Sequence, residues 1–235
     1  MDGRKYVLIG TLTAGMAVAL FLAPASAQGE LELNVESVRD GGIIPNRHAF
    51  CLPTAQGDTK VGPNINPSIS WPKGPRGTNS YAVILYGDTH PPKEQPEKTR
   101  QIFYHWVLVD IPANTRWIPE GAETKGRLPR GTKIGVSGIS DSTTRVFAAN
   151  EPLKDDRYGY KGPCPWNDEN IHHLHFKVYA LSVPSLRLGA TFDGAAAMEA
   201  MQGNILAQGE ELGLYLKVLD PIFICSRFAS LSRLC

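Results

Sequence analysis

Three of the six histidines, His172, His173 and His175, lie within four positions, which makes them candidates for binding a ligand or a metal. The segment around them is apolar and β-forming, and side chains in a strand point alternately to opposite faces. His172 therefore shares its face with apolar residues, namely Leu174, Phe176, Val178 and Ala180. The other two histidines point away from His172, so they could form at most a weak metal site.

A histidine that ends an apolar face beside a loop is a reasonable ligand-binding residue. Neutral imidazole donates one N–H, whereas imidazolium donates two and adds a positive charge. Such donors, converging in a partly dry cavity, would hold a phosphate-like group, and backbone N–H groups of a Gly-Pro turn could supply the remaining donors. His172 is thus a candidate ligand-binding residue; ordinary hydrogen bonding inside a core is the alternative.

Signatures of catalysis are weak. The segment Gly135-Val136-Ser137-Gly138-Ile139 does not have the G-x-S-x-G spacing of a nucleophile elbow. Cys164 could act as a nucleophile, but a cysteine before proline in an exported chain is more often structural or disulfide-bonded. No C-x-x-C or H-x-x-x-H spacing favours zinc. We therefore expect neither an enzyme nor a cofactor or metal site.

Residues 1–27 have the three-part pattern of a secretory signal. Arg4 and Lys5 precede an uncharged, mostly apolar stretch at 6–23, and Ala25-Ser26-Ala27 has small residues at both positions that a signal peptidase reads. A stretch of about 18 residues is just long enough to span a bilayer, so an uncleaved anchor is the alternative. We predict cleavage after Ala27, no transmembrane segment in the remainder, and a periplasmic or extracellular protein.

Residues 28–235 would then form the mature protein as a single domain, since no repeat or low-complexity linker divides them. They contain 22 basic and 22 acidic residues, so their formal net charge is zero. Such a chain has no broad basic field to attract nucleic acid or anionic membranes, and any anion must be held locally. At this length one domain can bury most of its surface.

The four cysteines are Cys51, Cys164, Cys225 and Cys235. Export to an oxidising compartment favours disulfides. Four cysteines allow three connectivities, and the sequence alone does not choose among them. The short spacing at the C-terminus favours Cys225–Cys235, with Cys51–Cys164 as the second bridge.

The pattern of β-forming segments predicts a mainly β fold. Glycine and proline are frequent and evenly spread, as in a chain of short strands and turns. The predicted strands are Leu31–Val38, Ile65–Trp71, Tyr81–Tyr86, Ile102–Ile111 and His175–Val183. Ala195–Ala207 is predicted to be a helix, with room for a short strand after it. Pro112–Pro163 is too long for an ordinary connection, so it is either functional or contains short local structure.

Four ordered motifs between Asn64 and Leu181 resemble those of the phosphatidylethanolamine-binding protein (PEBP) family. They are N-I-N-P-S-I-S-W at 64–71 with G-P-R-G-T-N-S-Y-A at 74–82, H-W-V-L-V-D-I-P-A at 105–113, Y-K-G-P-C-P at 160–165, and the strand at 172–181. Any one motif alone would be weak, but four in order are specific. They resemble most the exported bacterial Raf kinase inhibitor-like subgroup. The resemblance implies an antiparallel β-sandwich with short peripheral helices, a C-terminal helix and a small pocket at one end.

The resemblance also implies which residues line this pocket: His105, Gly162, Pro163, Cys164 and His172. Two positions depart from the family pattern. The family's D-P-D-A-P segment is replaced so that its first aspartate falls on Gly87, and Asp88 reaches the pocket only if a bulge at Gly87 absorbs a one-residue shift. Otherwise Asp88 lies in a solvated turn. The family's pocket tyrosine is Leu174 here, so one hydroxyl donor is missing.

These observations favour a protein that binds a small anionic ligand, either a phosphate-type group or a phospholipid headgroup. The alternative is an inhibitor or regulator of a partner protein, since the resembled family includes kinase and protease inhibitors. Export argues against a cytosolic kinase as that partner but not against a secreted protease.

Overall fold

The computed structural model describes residues 29–54, 59–89, 101–137, 157–164 and 171–216, without the side chains of residues 88, 89 and 101. The predicted signal peptide and the proposed Cys225–Cys235 pair lie outside these residues. No helix within the described ranges is long and apolar enough to cross a membrane.

Twelve strands are formed by the described residues. In chain order they are β1 (Gly29–Glu30), β2 (Asn34–Val35), β3 (Gly42–Ile43), β4 (Cys51–Pro53), β5 (Thr59–Val61), β6 (Ile69–Ser70), β7 (Ser80–Thr89), β8 (Gln101–Pro112), β9 (Trp117–Ile118), β10 (Lys133–Ile134), β11 (His172–Leu181) and β12 (Ile205–Tyr215). A 3₁₀ turn at Asn46–His48 and the helix α1 (Gly194–Met201) complete the elements. The mainly β fold predicted from the sequence is confirmed.

The main sheet has the strand order β1-β12-β11-β7-β8-β10, and β3 also pairs with β12. Its four long strands, β12, β11, β7 and β8, are antiparallel to one another, whereas the short strands β1 and β3 pair with β12 in parallel. A second sheet of order β2-β6-β9 lies apart from it, and β4 pairs with β5. Of the predicted strand Ile65–Trp71, only Ile69 and Ser70 lie in a strand. Pro67 cannot donate to a ladder, and the Ile65 N–H donates to the Arg47 carbonyl at 3.0 Å.

A large apolar core lies between the two sheets. It contains Val35, Ile69 and Ile118 from the second sheet, and Leu85, Trp106, Leu108, Phe176 and Val178 from the main sheet. Alternation along β11 is as predicted: Leu174, Phe176, Val178 and Ala180 are all buried in this large core. The sandwich is therefore held together by the face on which His172 also lies.

The opposite face of the main sheet carries a small core beneath α1. Ala197 and Met201 of α1 pack there with Ile84, Val107 and Tyr179 of the sheet. The helix begins at an N-cap, where the Asp193 carboxylate accepts a hydrogen bond from the Ala196 N–H at 2.9 Å.

The predicted extent of the helix, Ala195–Ala207, is wrong at its C-terminal end. α1 ends at Met201, and the residues from Ile205 form the eleven-residue strand β12. A turn with Gly203 at φ 74° separates the two elements. Gly209 is required in β12 because a Cβ there would lie 2.1 Å from the Leu31 carbonyl oxygen. Glycine suits this close backbone approach, although it lowers the β-propensity of the segment.

Candidate functional site

His105 reaches the candidate site through an irregularity in β8. Trp106 belongs to the large core and Val107 to the small core, so strict alternation would place His105 on the small-core side. The pairing of β7 with β8 shifts by one residue between Leu85 and Tyr86, which leaves His105 as the extra residue of a β-bulge. The bulge turns the histidine toward the large-core face of the sheet.

Contacts of the His105 ring confirm this orientation. The ring meets Phe103 edge-on, with centroids 4.6 Å apart. A Cβ built on Gly87 would lie 3.3 Å from His105 Nε2, and Gly87 shares its face of β7 with Leu85 of the large core. Glycine at this position therefore keeps space open beside Nε2.

The protonation state of His105 follows from its surroundings. Burial lowers the pKa of His105 to about 4, the hydrogen bond with the Lys161 carbonyl opposes this shift, and the nearby charge of His172 lowers the pKa further. The ring is therefore neutral at pH 7. Its Nδ1 lies 2.7 Å from the Lys161 carbonyl oxygen, which can only accept, so Nδ1 carries the proton. Nε2 is left as a hydrogen-bond acceptor.

His172 lies at the start of β11, next to this ring. It pairs with Tyr215 of β12, and two residues further along β11 Leu174 pairs with Gly87. A Cβ on Gly87 would lie 3.3 Å from His105 Nε2 and 3.2 Å from the His173 carbonyl, so the start of β11 borders the His105 ring. The structure thus brings together the two histidines that the sequence singled out.

The loop at 160–164 borders His105. The Lys161 N–H donates to the His105 carbonyl at 2.8 Å, and the backbone of Gly162 also interacts with the His105 ring. A Cβ on Gly162 would fall 1.8 Å from the His48 carbonyl oxygen, so only glycine lets the loop pack this closely. Gly162 is therefore required for the packing of the loop, and the loop in turn borders His105.

The predicted disulfide between Cys51 and Cys164 is present, with the two Cα atoms 4.5 Å apart. It ties the loop to β4, and the Pro163 carbonyl accepts a hydrogen bond from the Phe50 N–H at 3.1 Å. The described contacts of Pro163 and Cys164 thus hold the loop against β4, and the thiol of Cys164 is consumed by the disulfide.

Sequence reasoning missed the residues that support the loop from behind. Asn64, at φ 51°, donates through Nδ2 to the Tyr160 carbonyl at 2.9 Å and accepts the Gly162 N–H at 2.8 Å. Glu123 accepts from Trp106 Nε1 at 2.5 Å and from the Tyr160 N–H at 2.9 Å. Asn64 opens the first of the four motifs, which is the one signal that could have identified it.

His48 is a third missed residue, and its role is structural. Its ring is fully buried, with Nδ1 2.7 Å from the Ile65 carbonyl and Nε2 2.6 Å from Ser37 Oγ. Burial lowers the pKa of His48, which keeps the ring neutral. The Tyr160 hydroxyl donates to the His48 carbonyl at 2.9 Å, so this histidine is a core support of the site loop.

The bulge proposed at Gly87 is absent from β7. Gly87 and Asp88 pair one-to-one with Phe103 and Ile102, and the extra residue belongs to β8 instead. The side chain of Asp88 lies outside the described part of the chain. Leu174 is buried in the large core, as its apolar side chain requires.

The other two histidines of β11 lie on the far side of the sheet, as alternation predicts. The His175 ring stacks on Tyr86, with centroids 4.8 Å apart, and Nδ1 lies 2.5 Å from Glu210 Oε1. The same carboxylate pairs with Lys177 Nζ at 3.0 Å. Burial acts to raise the pKa of Glu210, but the hydrogen bonds from His175 and Lys177 outweigh it, so this pKa is lowered. His175, Tyr86, Lys177 and Glu210 thus form a cross-strand cluster on β11, β7 and β12.

Comparison with known proteins identifies the class that this fold and site define. Residues 34–216 match the family model described as phosphatidylethanolamine-binding protein. A UPF0098 protein of Aquifex aeolicus (strain VF5) is 32% identical over 191 residues, which cover 80% of this chain and 97% of that protein. The UPF0098 protein YbcL of Escherichia coli (strain K12) is 26% identical over 211 residues, covering 90% of this chain and 98% of that protein.

Solved structures agree with the sequence comparison. The crystal structure of E. coli YbcL, described as a new member of the mammalian PEBP family, matches with a TM-score of 0.60 and 25% identity, covering 80% of this chain and 99% of that one. The chain belongs to the phosphatidylethanolamine-binding protein family. The resemblance inferred from the four motifs is thereby confirmed, and membership of this family suggests ligand binding in general.

Proposed function

We propose that the protein binds a small anionic ligand, a phosphate-type group or a phospholipid headgroup, at His105 and His172. The observation that supports this most is the β-bulge at His105. An extra residue in β8 interrupts its ladder with β7, and bulges are frequent next to functional sites because they re-aim a side chain. Here the bulge turns His105 toward the face of the sheet on which His172 lies and toward the open position beside Gly87.

The proton on His105 determines which ligand atoms suit the site. Because Nδ1 donates to the Lys161 carbonyl, the neutral ring offers only an acceptor at Nε2. A bare anion would meet a lone pair there, whereas the ammonium group of an ethanolamine headgroup or the hydroxyl of a protonated phosphate would donate to it. The backbone N–H groups of Tyr160, Lys161 and Gly162 already donate within the protein, so the anionic oxygens would bind His172.

Anions without a donor can bind only if the ring takes up a proton. A negative charge at hydrogen-bond distance favours the imidazolium form and raises its pKa. Since the free ring has a pKa of about 4, the affinity for such an anion should rise as pH falls from 7, by up to about tenfold per pH unit if protonation is obligatory. A ligand with its own ammonium group should bind at pH 7 without this dependence.

Two phosphodiesters separate these cases, because each keeps its single phosphate charge between pH 4.5 and 7. Dimethyl phosphate has no donor, and glycerophosphoethanolamine carries an ammonium group. We expect calorimetric titration to show stronger binding of glycerophosphoethanolamine at pH 7 and a gain in affinity at pH 4.5 for dimethyl phosphate alone. His105→Gln and His172→Gln should each abolish measurable binding.

His173→Gln is the matched control, because it replaces a histidine of the same strand on the opposite face. It should leave both affinities unchanged. Equal binding by the wild type and the His105→Gln variant would refute the proposal, and activity against a secreted protease retained by that variant would favour the inhibitor function instead.

We further propose that the protein acts in an oxidising compartment outside the cytoplasm. The Cys51–Cys164 disulfide and the signal-like pattern at residues 1–27 support this location. Fractionation of cells expressing the full chain, with N-terminal sequencing of the product, should recover a periplasmic or secreted protein that begins at Gln28. A full-length cytoplasmic product would contradict it.

A further inference from the structure

A second cavity lies at the other end of the main sheet from the histidines. It has a volume of about 360 Å³ and is lined by the turn Lys73–Thr78, by Tyr81 at the start of β7, and by Ala113 and Arg116 after β8. Tyr81 and Gly87 are six residues apart on the same strand, which corresponds to about 20 Å. The cavity is therefore distinct from the site at His105.

All the charged side chains that line this cavity are positive. Lys73, Arg76 and Arg116 line it, and no aspartate or glutamate does. Within the described ranges, none of these three cations forms an ion pair with a carboxylate. The predicted mature chain has a formal net charge of zero, so three cations around one concavity are a local feature rather than part of a broadly basic surface.

Arg116 is held in place before any ligand arrives. Its NH1 donates to the carbonyl oxygens of Ala113 at 2.8 Å and Thr115 at 2.5 Å. Its guanidinium carbon lies 5.3 Å from the centroid of the Tyr81 ring, in a cation–π contact. An arginine fixed on one edge keeps its other donors in a planar fork that suits an oxyanion.

The turn opposite Arg116 is equally ordered. The Gly74 N–H donates to the Tyr81 hydroxyl at 2.8 Å, and the hydroxyl and N–H of Thr78 both donate to the Pro75 carbonyl. A Cβ on Gly74 would lie 2.6 Å from Thr78 Oγ1, so glycine is needed for this packing. The same tyrosine thus links the turn and the arginine, and the wall of the cavity is rigid.

We infer that this basic cavity is a second anion-binding site, which takes a phosphoryl- or sulfuryl-bearing small molecule through Lys73, Arg76 and Arg116. The positive charges of Lys73 and Arg76, beside the fixed guanidinium of Arg116, suit an oxyanion with more than one charged oxygen. The volume exceeds that of one inorganic ion, which leaves room for the organic part of a phosphomonoester. The source of the phosphoryl group is either a soluble phosphomonoester or the headgroup of an anionic lipid.

Titration of the His105→Gln/His172→Gln variant isolates this cavity from the histidine site. We would add inorganic phosphate and glycerol 3-phosphate separately and follow backbone amides by ¹H–¹⁵N NMR. Saturable shifts at Gly74, Gly77 and Thr78 are expected. Adding Lys73→Gln and Arg76→Gln should weaken binding about tenfold, because each exposed charge contributes a few-fold.

The matched control neutralises two exposed cations outside the cavity, through Lys60→Gln and Arg130→Gln, and should leave the affinity within twofold of its parent. Flotation with vesicles containing phosphatidylglycerol distinguishes the sources. If the protein binds these vesicles and Lys73→Gln/Arg76→Gln abolishes that binding, the ligand is a lipid headgroup. If the protein binds phosphate but not the vesicles, the ligand is a soluble phosphomonoester. Absence of shifts at the turn, or equal weakening by both double substitutions, would overturn the inference.

Discussion

Acid should destabilise this protein through His105, and the size of the effect can be worked from the structure. Burial holds the pKa of His105 at about 4, against 6.5 for the ring in an unfolded chain. Between these pH values the unfolded chain binds more protons than the native one, so the free energy of unfolding falls as pH falls. The stabilisation is fully present above pH 6.5 and is lost progressively toward pH 4.

The lowering of the pKa of His105 corresponds to a change of about 3 kcal/mol in the free energy of unfolding, since one pKa unit is worth about 1.4 kcal/mol. Because the ring is partly accessible to solvent, we expect about 2 kcal/mol of this to be measured between pH 7 and pH 4.5. His48, whose pKa burial also lowers, acts in the same direction. The contribution of His105 must therefore be obtained as a difference between variants.

The assay is urea unfolding followed by tryptophan fluorescence at both pH values. His105→Gln should lose about 2 kcal/mol less stability than the wild type between pH 7 and pH 4.5. His173→Gln, on the opposite face of the sheet, controls for replacing a histidine in the same region. Equal losses in the wild type and His105→Gln would show that His105 is not buried in its neutral form, and the argument for an acceptor at Nε2 would fail.

Three further predictions concern the support of the site loop and of α1. Cys51→Ser removes a cross-link over a sequence separation of 113 and should lower the free energy of unfolding by about 3 kcal/mol, measured by urea unfolding without reductant. Gly162→Ala places a Cβ against the His48 carbonyl and should cost at least about 3 kcal/mol in the same assay, whereas Gly189→Ala, with open space around it, should cost less than about 1 kcal/mol. Asp193→Ala removes the N-cap of α1 and should cost about 1 kcal/mol by thermal unfolding; an unchanged Tm would contradict that role.

Alternation was enough to predict the face of β11, because a period of two needs only the local sequence. It correctly separated His172 from His173, and it predicted which side chains enter the large core. The bulge at His105 could not be predicted in this way. The residues on either side of it are all β-forming, and the extra residue becomes visible only when β8 is paired with β7.

The end of the helix α1 could not be predicted from the local sequence either, because the local sequence predicts too long a helix. The alanines and methionines of Gly194–Met201 favour a helix, and the apolar residues after them favour its continuation. Tertiary contacts decide instead, since Gly209 and Gly213 allow Leu31 and Ile44 to approach the backbone of β12 closely. Asn64 was missed for a similar reason, because its two hydrogen bonds to the loop span nearly a hundred residues.

The most direct test of the proposed ligand site is an NMR titration of the imidazole nitrogens with glycerophosphoethanolamine at pH 7. Before ligand is added, His105 should show a protonated Nδ1 and an unprotonated Nε2. Saturable addition should shift Nε2 of His105 and the ring of His172, while His173 stays unchanged. A His105 ring protonated at Nε2 in the free protein, or shifts of equal size at all three histidines, would contradict the account.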